Sequence, residues 1–270
     1  MAELIFPDGA IFRCNSKRGV GESMHSHHYH TRFEIYYLTS GRCHFFIDNR
    51  SYDISAGDLM LIPEGVIHKT NYGTDEEQAR VVLEFSSRFV PESVRAKLPS
   101  MVYLFRNPTL QSDLHEMIRS IDHECKKPDE FTYESIEAKI SSLLFFLARN
   151  RVLGGPTVSK NSMIEDVINY IKGNFAQDVK LSEVAKSHFV SAEHLSRTFK
   201  HDTGFGFNEF LSLIRLQHAE HLLKERRGMS ISEIAYSCGF NDSNYFSDKF
   251  RRTYGVSPLK YSKTYEEENP

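Results

Sequence analysis

The 270 residues carry 40% hydrophobic and 26% charged side chains with a formal net charge of -3, a balance that suits two globular domains and excludes broad disorder. The longest wholly apolar run, Leu143 to Ala148, is far too short to span a bilayer, and the first dozen residues lack a secretory leader, so a cytoplasmic chain without a membrane partner is expected. Cysteines at 14, 43, 125 and 238 form no close pair in the sequence, which argues for reduced thiols rather than a zinc cluster or disulfide scaffold.

From Phe33 to Phe85, short runs with two-residue alternation are broken at Ser40-Gly41, Asp48-Asn49, Ala56-Gly57, Pro63-Glu64-Gly65 and Tyr72-Gly73. That rhythm predicts a β-sandwich or barrel. The segment before Phe33 has no strong strand pattern. Apolar residues then recur at three and four: Leu114, Met117, Ile118 and Ile121, followed by Ile136, Ile140, Leu143, Leu144 and Leu147. These are two amphipathic helices, the second apolar over more than one face and so in need of a partner. Leu153 to Ser162 has linker composition, and Ser162 with Glu165 predicts a capping box. The expected division is residues 1–152, a linker at 153–161, and residues 162–270.

The last hundred residues contain one unit twice. Leu181-Ser182-Glu183-Val184-Ala185 matches Ile231-Ser232-Glu233-Ile234-Ala235, and Leu195-Ser196, Phe199-Lys200 and Gly204 match Phe246-Ser247, Phe250-Arg251 and Gly255. Each copy reads as a short helix, a tight turn and a second helix ending at glycine. Ser191 is the expected N-cap of one second helix, Asn241 or Asp242 of the other, and Ser230 with Glu233 predicts a capping box. With Leu195, Phe199, Phe246 and Phe250 inward, the outward residues are Glu193, His194, Ser196 and Arg197, then Ser243, Asn244 and Ser247, with Lys249, Arg251 and Arg252 placed for phosphates. An unbroken apolar pattern from Phe210 to Leu223 predicts a rigid connecting helix, which would set the two outer helices into successive major grooves of double-stranded DNA. Lys160 to Lys263 holds 15 Lys and Arg against 12 Asp and Glu, a local +3 that the acidic tail Glu266, Glu267 and Glu268 cancels, and phosphate contact needs a basic face and not a basic total.

The stretch Ile231 to Tyr261, ISEIAYSCGFNDSNYFSDKFRRTYGVSPLKY, closely resembles the signature of AraC-family transcription regulators, and the resemblance extends back to about Ser162. It implies a seven-helix DNA-binding domain in which Glu193, Ser196, Arg197, Ser243, Asn244 and Asp248 stand where the family touches bases. Asp248 departs from the basic residue common there: an aspartate repels phosphate and accepts only from a base such as cytosine, which leaves Lys249 or Arg251 to act on the backbone instead.

The N-terminal half resembles a cupin, the small β-barrel often fused to this domain: His28, His30, Glu34 and Gly41 follow one motif, and Gly57, Pro63, Gly65 and His68 the other. The fold class implied is α+β, a cupin-like barrel with a two-helix appendage ahead of an all-α domain. His28, His30, Glu34, Tyr36 and His68 are the expected lining of a site for a small-molecule effector, which the resemblance makes a sugar or related metabolite. His28, His30, Glu34 and His68 are also a donor set for a divalent metal, although no cofactor is required. The two middle helices resemble the dimerisation helices of sugar-responsive relatives, with packing on the barrel as the alternative. The main reading is therefore a ligand-responsive transcription regulator, not an enzyme, working as a homodimer and contacting RNA polymerase if it activates. The alternatives are a metal-dependent cupin enzyme or metal sensor fused to a DNA-binding domain, and an architectural DNA-binding protein.

Overall fold

Six consecutive buried residues, Phe33 to Leu38, fix the centre of the N-terminal half. In the computed structural model, which describes residues 2–20, 30–71, 77–97, 104–150, 161–225 and 228–268, they open strand β3 (Phe33–Ser40). β3 lies between β6 (Leu59–Ile62) and β8 (Glu77–Phe85) in a six-stranded antiparallel sheet. Its other strands are β1 (Ala2–Ile5), β2 (Ile11–Val20) and β9 (Leu104–Phe105), in the order β1-β2-β8-β3-β6-β9. A second sheet has the order β5-β4-β7, from β4 (Arg42–Ile47), β5 (Arg50–Ser55) and β7 (His68–Asn71). Successive strand side chains point to opposite faces. Phe33, Ile35 and Tyr37 accordingly pack in one core with Val94 of the one-turn α1 (Glu92–Arg95) and helices α2 (Gln111–Lys126) and α3 (Thr132–Arg149), while Tyr36 and Leu38 join Phe45, Ile47, Tyr52 and Ile54 between the sheets. A strand covered on both faces reads as a continuous apolar run, and Glu34 is the one charge in it.

The expected barrel takes the form of two facing sheets, which among the described residues do not hydrogen-bond into a closed ring. Gly41 makes the switch between them: at φ +83 it lies so close to β8 that a Cβ would sit 2.9 Å from the Glu77 carbonyl oxygen. The β4–β5 hairpin turns on Asp48 and Asn49, both at positive φ as a two-residue primed turn requires. Strands β1 and β2 correct the expectation for the N-terminal segment. In β2 the alternation is confined to Phe12 and Cys14, and its remaining residues are solvent-facing or half-buried, so the periodic signal is diluted. All four cysteines are free, as expected, but Cys14 of β2 meets Cys125 of α2, and that contact together with burial pushes the Cys14 thiol up.

The C-terminal half is helical throughout: α4 (Ser162–Asn174), α5 (Leu181–Ser187), α6 (Ala192–Thr203), α7 (Phe207–Glu225), α8 (Ile231–Ser237), α9 (Ser243–Tyr254) and α10 (Pro258–Glu268). α7 is the predicted connector, and it serves two cores. Phe207, Phe210, Leu211 and Ile214 pack with α4 to α6, whereas Leu216, Ala219 and Leu223 pack with α8 and α9. Ser191 and Asp242 cap α6 and α9, and Ser230 with Glu233 forms the full capping box. The box expected at Ser162 is absent. Asn161 is the N-cap, and its side-chain amide donates to Asp202 at 2.8 Å instead of serving the helix. No helix among the described residues is long and apolar enough to cross a membrane.

Candidate DNA interface and effector site

α6 and α9 present matching outer faces. Leu195, Phe199, Phe246 and Phe250 are fully buried, so a period of 3.6 residues turns the positions between them outward. Glu193, His194 and Arg197 are exposed and Ser196 half-buried. On α9, Asn244, Arg251 and Arg252 are exposed, while Ser243, Ser247 and Lys249 are half-buried. Each helix closes on a left-handed glycine, Gly204 at φ +76 and Gly255 at φ +80, whose N–H returns to the carbonyl four residues back.

Acidic residues on these faces are paired within their own helix. Glu193 lies 3.9 Å from Arg197, and Asp248 lies 3.5 Å from Arg251 and 2.9 Å from Arg252. The departure at Asp248 therefore sits beside two guanidiniums that offset its charge. Lys249 Nζ stands 5.5 Å over the Tyr245 ring. The two units are locked together behind this surface. Arg215 of α7 donates to the carbonyls of Phe175 and Gln177, both at 2.8 Å, and Gly239 in the second turn lies so close to Phe175 that a Cβ would be 2.8 Å from its carbonyl oxygen.

The second site lies between the sheets. Glu34 on β3 and His68 on β7 are both about 1% exposed, and His30 meets them from the rim. His30 Nε2 is 3.0 Å and His68 Nε2 3.6 Å from Glu34 Oε2. The other ring nitrogens are committed: His30 Nδ1 faces the Arg32 carbonyl at 2.9 Å and His68 Nδ1 the Val66 carbonyl at 2.8 Å. A carbonyl only accepts, so both Nδ1 atoms carry protons and both Nε2 atoms are turned on the carboxylate. Burial alone would push the Glu34 carboxyl up, but His30 and His68 outweigh it and hold it well below the usual carboxylate range. Burial likewise disfavours the His30 imidazolium, and the Glu34 carboxylate overcomes it, raising that pKa.

Among the described residues these three are the group of donors that converge for a metal, with ligand atoms all within 4.8 Å of one another. Glu34 Oε1 and His68 Nε2 are buried with no hydrogen-bond partner. His28, expected beside them, lies outside the described residues. Tyr36 is on the same face of β3 but fully buried, its hydroxyl 3.8 Å from Cys43 Sγ and its ring edge-on to Phe45. Phe45 in turn stacks 6.3 Å from His68.

Several contacts between the halves were not legible in the sequence. His44, Phe46, Ser51 and Lys69 occupy the outer face of the three-stranded sheet, and they meet α6, α7 and the turn between them. The polar residues His44, Ser51 and Lys69 gave no sign of a partner over a hundred residues away, and Phe46, in the apolar run Phe45 to Ile47, did not say what covers it.

Residues 11–144 match the AraC-like ligand binding domain and residues 184–264 a helix-turn-helix domain. The chain is 27% identical over 240 residues to the HTH-type transcriptional activator RhaS of Escherichia fergusonii, covering 86% of this chain and 85% of that protein. It is 25% identical over 243 residues to the activator RhaR of Mannheimia succiniciproducens, covering 87% and 86%. A crystal structure of ToxT from Vibrio cholerae aligns over 93% of this chain and 97% of that one at 17% identity and a TM-score of 0.41. With a ligand binding domain in front, two helix-turn-helix units behind, and transcriptional activators rather than enzymes as its relatives, the chain belongs to the AraC family of DNA-binding transcription regulators.

Proposed function

We propose that this regulator responds to a small molecule seated at Glu34, His30 and His68, and that residues 1–152 form the effector-binding domain, 153–161 the linker and 162–270 the DNA-binding domain. The observation that carries the site is that two buried polar atoms without hydrogen-bond partners, Glu34 Oε1 and His68 Nε2, belong to side chains that converge at one place between the sheets. A buried polar group left unpaired costs roughly 1–3 kcal/mol, and a hydroxyl-rich ligand would relieve both by donating to the carboxylate and pairing with the imidazole. A sugar or related metabolite is the effector class proposed. The same convergence favours a second reading, a divalent ion. Two imidazole nitrogens and a carboxylate oxygen suit zinc, manganese, iron or nickel, and the Nδ1-to-carbonyl bonds are the outer contacts that orient such ligands.

The relatives are transcriptional activators, and activation by this chain, with RNA polymerase as partner, is proposed by analogy. A homodimer through α2 and α3 in the cytoplasm completes the reading. It is supported by Phe145, 38% exposed on α3, in a groove shared with Met117 and Phe146. The test of the site is a thermal-shift screen of the full chain against sugars and divalent cations, repeated on Glu34→Gln and His68→Ala. The expected result is a stabilising compound or ion that both substitutions abolish. A hit that neither substitution touches would place the effector elsewhere.

A further inference from the structure

The three-stranded sheet has two working faces. Alternation along β7 turns His68 inward to Glu34 and Lys69 outward, and alternation along β4 turns Phe45 inward and His44 and Phe46 outward. The outward set is where the DNA-binding half docks. Phe46 and Ile67 are buried in the same core as Phe199, Phe205 and Phe210, with the Phe46 ring 6.0 Å from Phe205 and from Phe210. Ser51 Oγ donates to the Asp202 carbonyl at 2.9 Å, and His44 Nε2 to the same oxygen at 3.1 Å, so the C-terminal turn of α6 is pinned. Its reading end stays free, with the side chains of Glu193 and Arg197 79% and 73% exposed.

Residues 65–69 touch both faces within five positions. The Gly65 N–H donates to the His30 carbonyl at 2.9 Å, while the Gly65 carbonyl accepts from Gln217 Nε2 of α7 at 2.8 Å. The Val66 carbonyl accepts from His68 Nδ1, Ile67 enters the core of the first helix-turn-helix unit, and His68 faces Glu34. Lys69 Nζ stands 4.7 Å from the centre of the Phe205 ring and 3.6 Å from Glu209 Oε1. Its stem lies so close to Gly204 that a Cβ there would be 2.9 Å from Lys69 Cδ.

We propose that residues 65–69 are a strap that transmits the state of the Glu34 site to the first helix-turn-helix unit, with Gln217 and Lys69 as the positioning residues at its outer end. The inference rests on reading the Glu34 site as the effector site. Re-seating His68 against an occupied Glu34 moves the backbone that also carries Lys69, its neighbour on the opposite face of β7, and, through Val66 and Ile67, the Gly65 carbonyl in the turn before the strand. The strap ends on α7 and on the end of α6, so its displacement alters how the first recognition helix is held relative to the second. Coupling of this kind is reciprocal in free energy, so severing the outer contacts is expected to disturb the inner site as well.

Hydrogen exchange on the full chain tests this without the effector, because a change in the site stands in for occupancy. Glu34→Gln keeps the shape of the side chain and removes the charge that both imidazoles face. Amides at 65–71 and at 199–217 are expected to exchange about threefold faster or more. In a chain that also carries Gln217→Ala and Lys69→Met, Glu34→Gln should add nothing further at 199–217. The reverse measurement uses Gln217→Ala with Lys69→Met alone, which leaves the site chemistry intact, and exchange at 30–38 should rise by a similar factor. Exchange that changes near the substitutions yet stays at the wild-type level across the strap, in either direction, overturns the proposal, and so does uniform loosening of every segment in both chains. Failure of the effector reading shows separately, as a ligand screen whose hits ignore Glu34→Gln.

Discussion

In the first helix-turn-helix unit the turn is made by Phe189, at φ 57 and almost wholly exposed, whereas the second places Gly239 there, at φ 84 with a neighbouring backbone too close for any side chain. The first unit starts its leading helix at Lys180 without a side-chain cap, and the second starts at Ser230 with a capping box. The first leans on the outer face of the three-stranded sheet. The second is closed by α10, where the Tyr261 hydroxyl donates to the buried Glu220 carboxylate at 2.6 Å. The same local code thus serves two settings. The second unit is held by its own turn, cap and final helix, while the first also packs on the outer face of the three-stranded sheet.

The sharpest way to break the comparison is at the turns. Gly239→Ala meets both a left-handed backbone and the Phe175 and Ala176 backbone, and is expected to destabilise by about 3 kcal/mol or more. Phe189→Gly should be neutral or stabilising by up to about 1 kcal/mol, since it relieves a non-glycine residue at positive φ and buries nothing less. Chemical denaturation of both variants decides it, and equal losses would mean that the turns are not different. Next in size, Arg197→Ala should weaken binding to a selected site by about 1–3 kcal/mol and relax discrimination at one or two base pairs, with little loss on random DNA. An equal loss on both DNAs would assign Arg197 to phosphate. The smallest effect is at the caps: Ser230→Ala should cost about 1 kcal/mol of stability, and Ser191→Ala, which loses one bond to the His194 N–H rather than a reciprocal pair, somewhat less. A larger loss at Ser191 on thermal melting would reverse that ranking.

What the sequence made legible follows the range of the interaction. Helix caps, terminal glycines and the inward phenylalanines of both units act within four or five residues, so a repeated pattern exposes them, and α6, α7, α8 and α9 fall where periodicity predicts. The triad of His30, Glu34 and His68 was legible only through spacing that resembles a known barrel, since nothing local says that Glu34 is buried. β1 and β2 escaped because solvent-facing polar residues mask the alternation in β2. Ser162 looked like a cap, but Asn161 begins the helix and its amide reaches Asp202, a contact across 41 positions. His44 and Lys69 carried no signal, because a half-buried strand residue looks the same whether water or another domain covers it, whereas Phe46 between Phe45 and Ile47 breaks the alternation without saying what covers it.

The matching outer faces of α6 and α9 are expected to read one duplex together. Hydroxyl-radical footprinting of the full chain on DNA selected from a random pool tests it most directly, with Arg197→Ala and Asn244→Ala in parallel. Two protected stretches of backbone, flanking major grooves about one helical turn, roughly 10 base pairs, apart, are expected for each chain. Arg197→Ala should fade one segment and Asn244→Ala the other. A single protected segment, or two that fade together under either substitution, would contradict it.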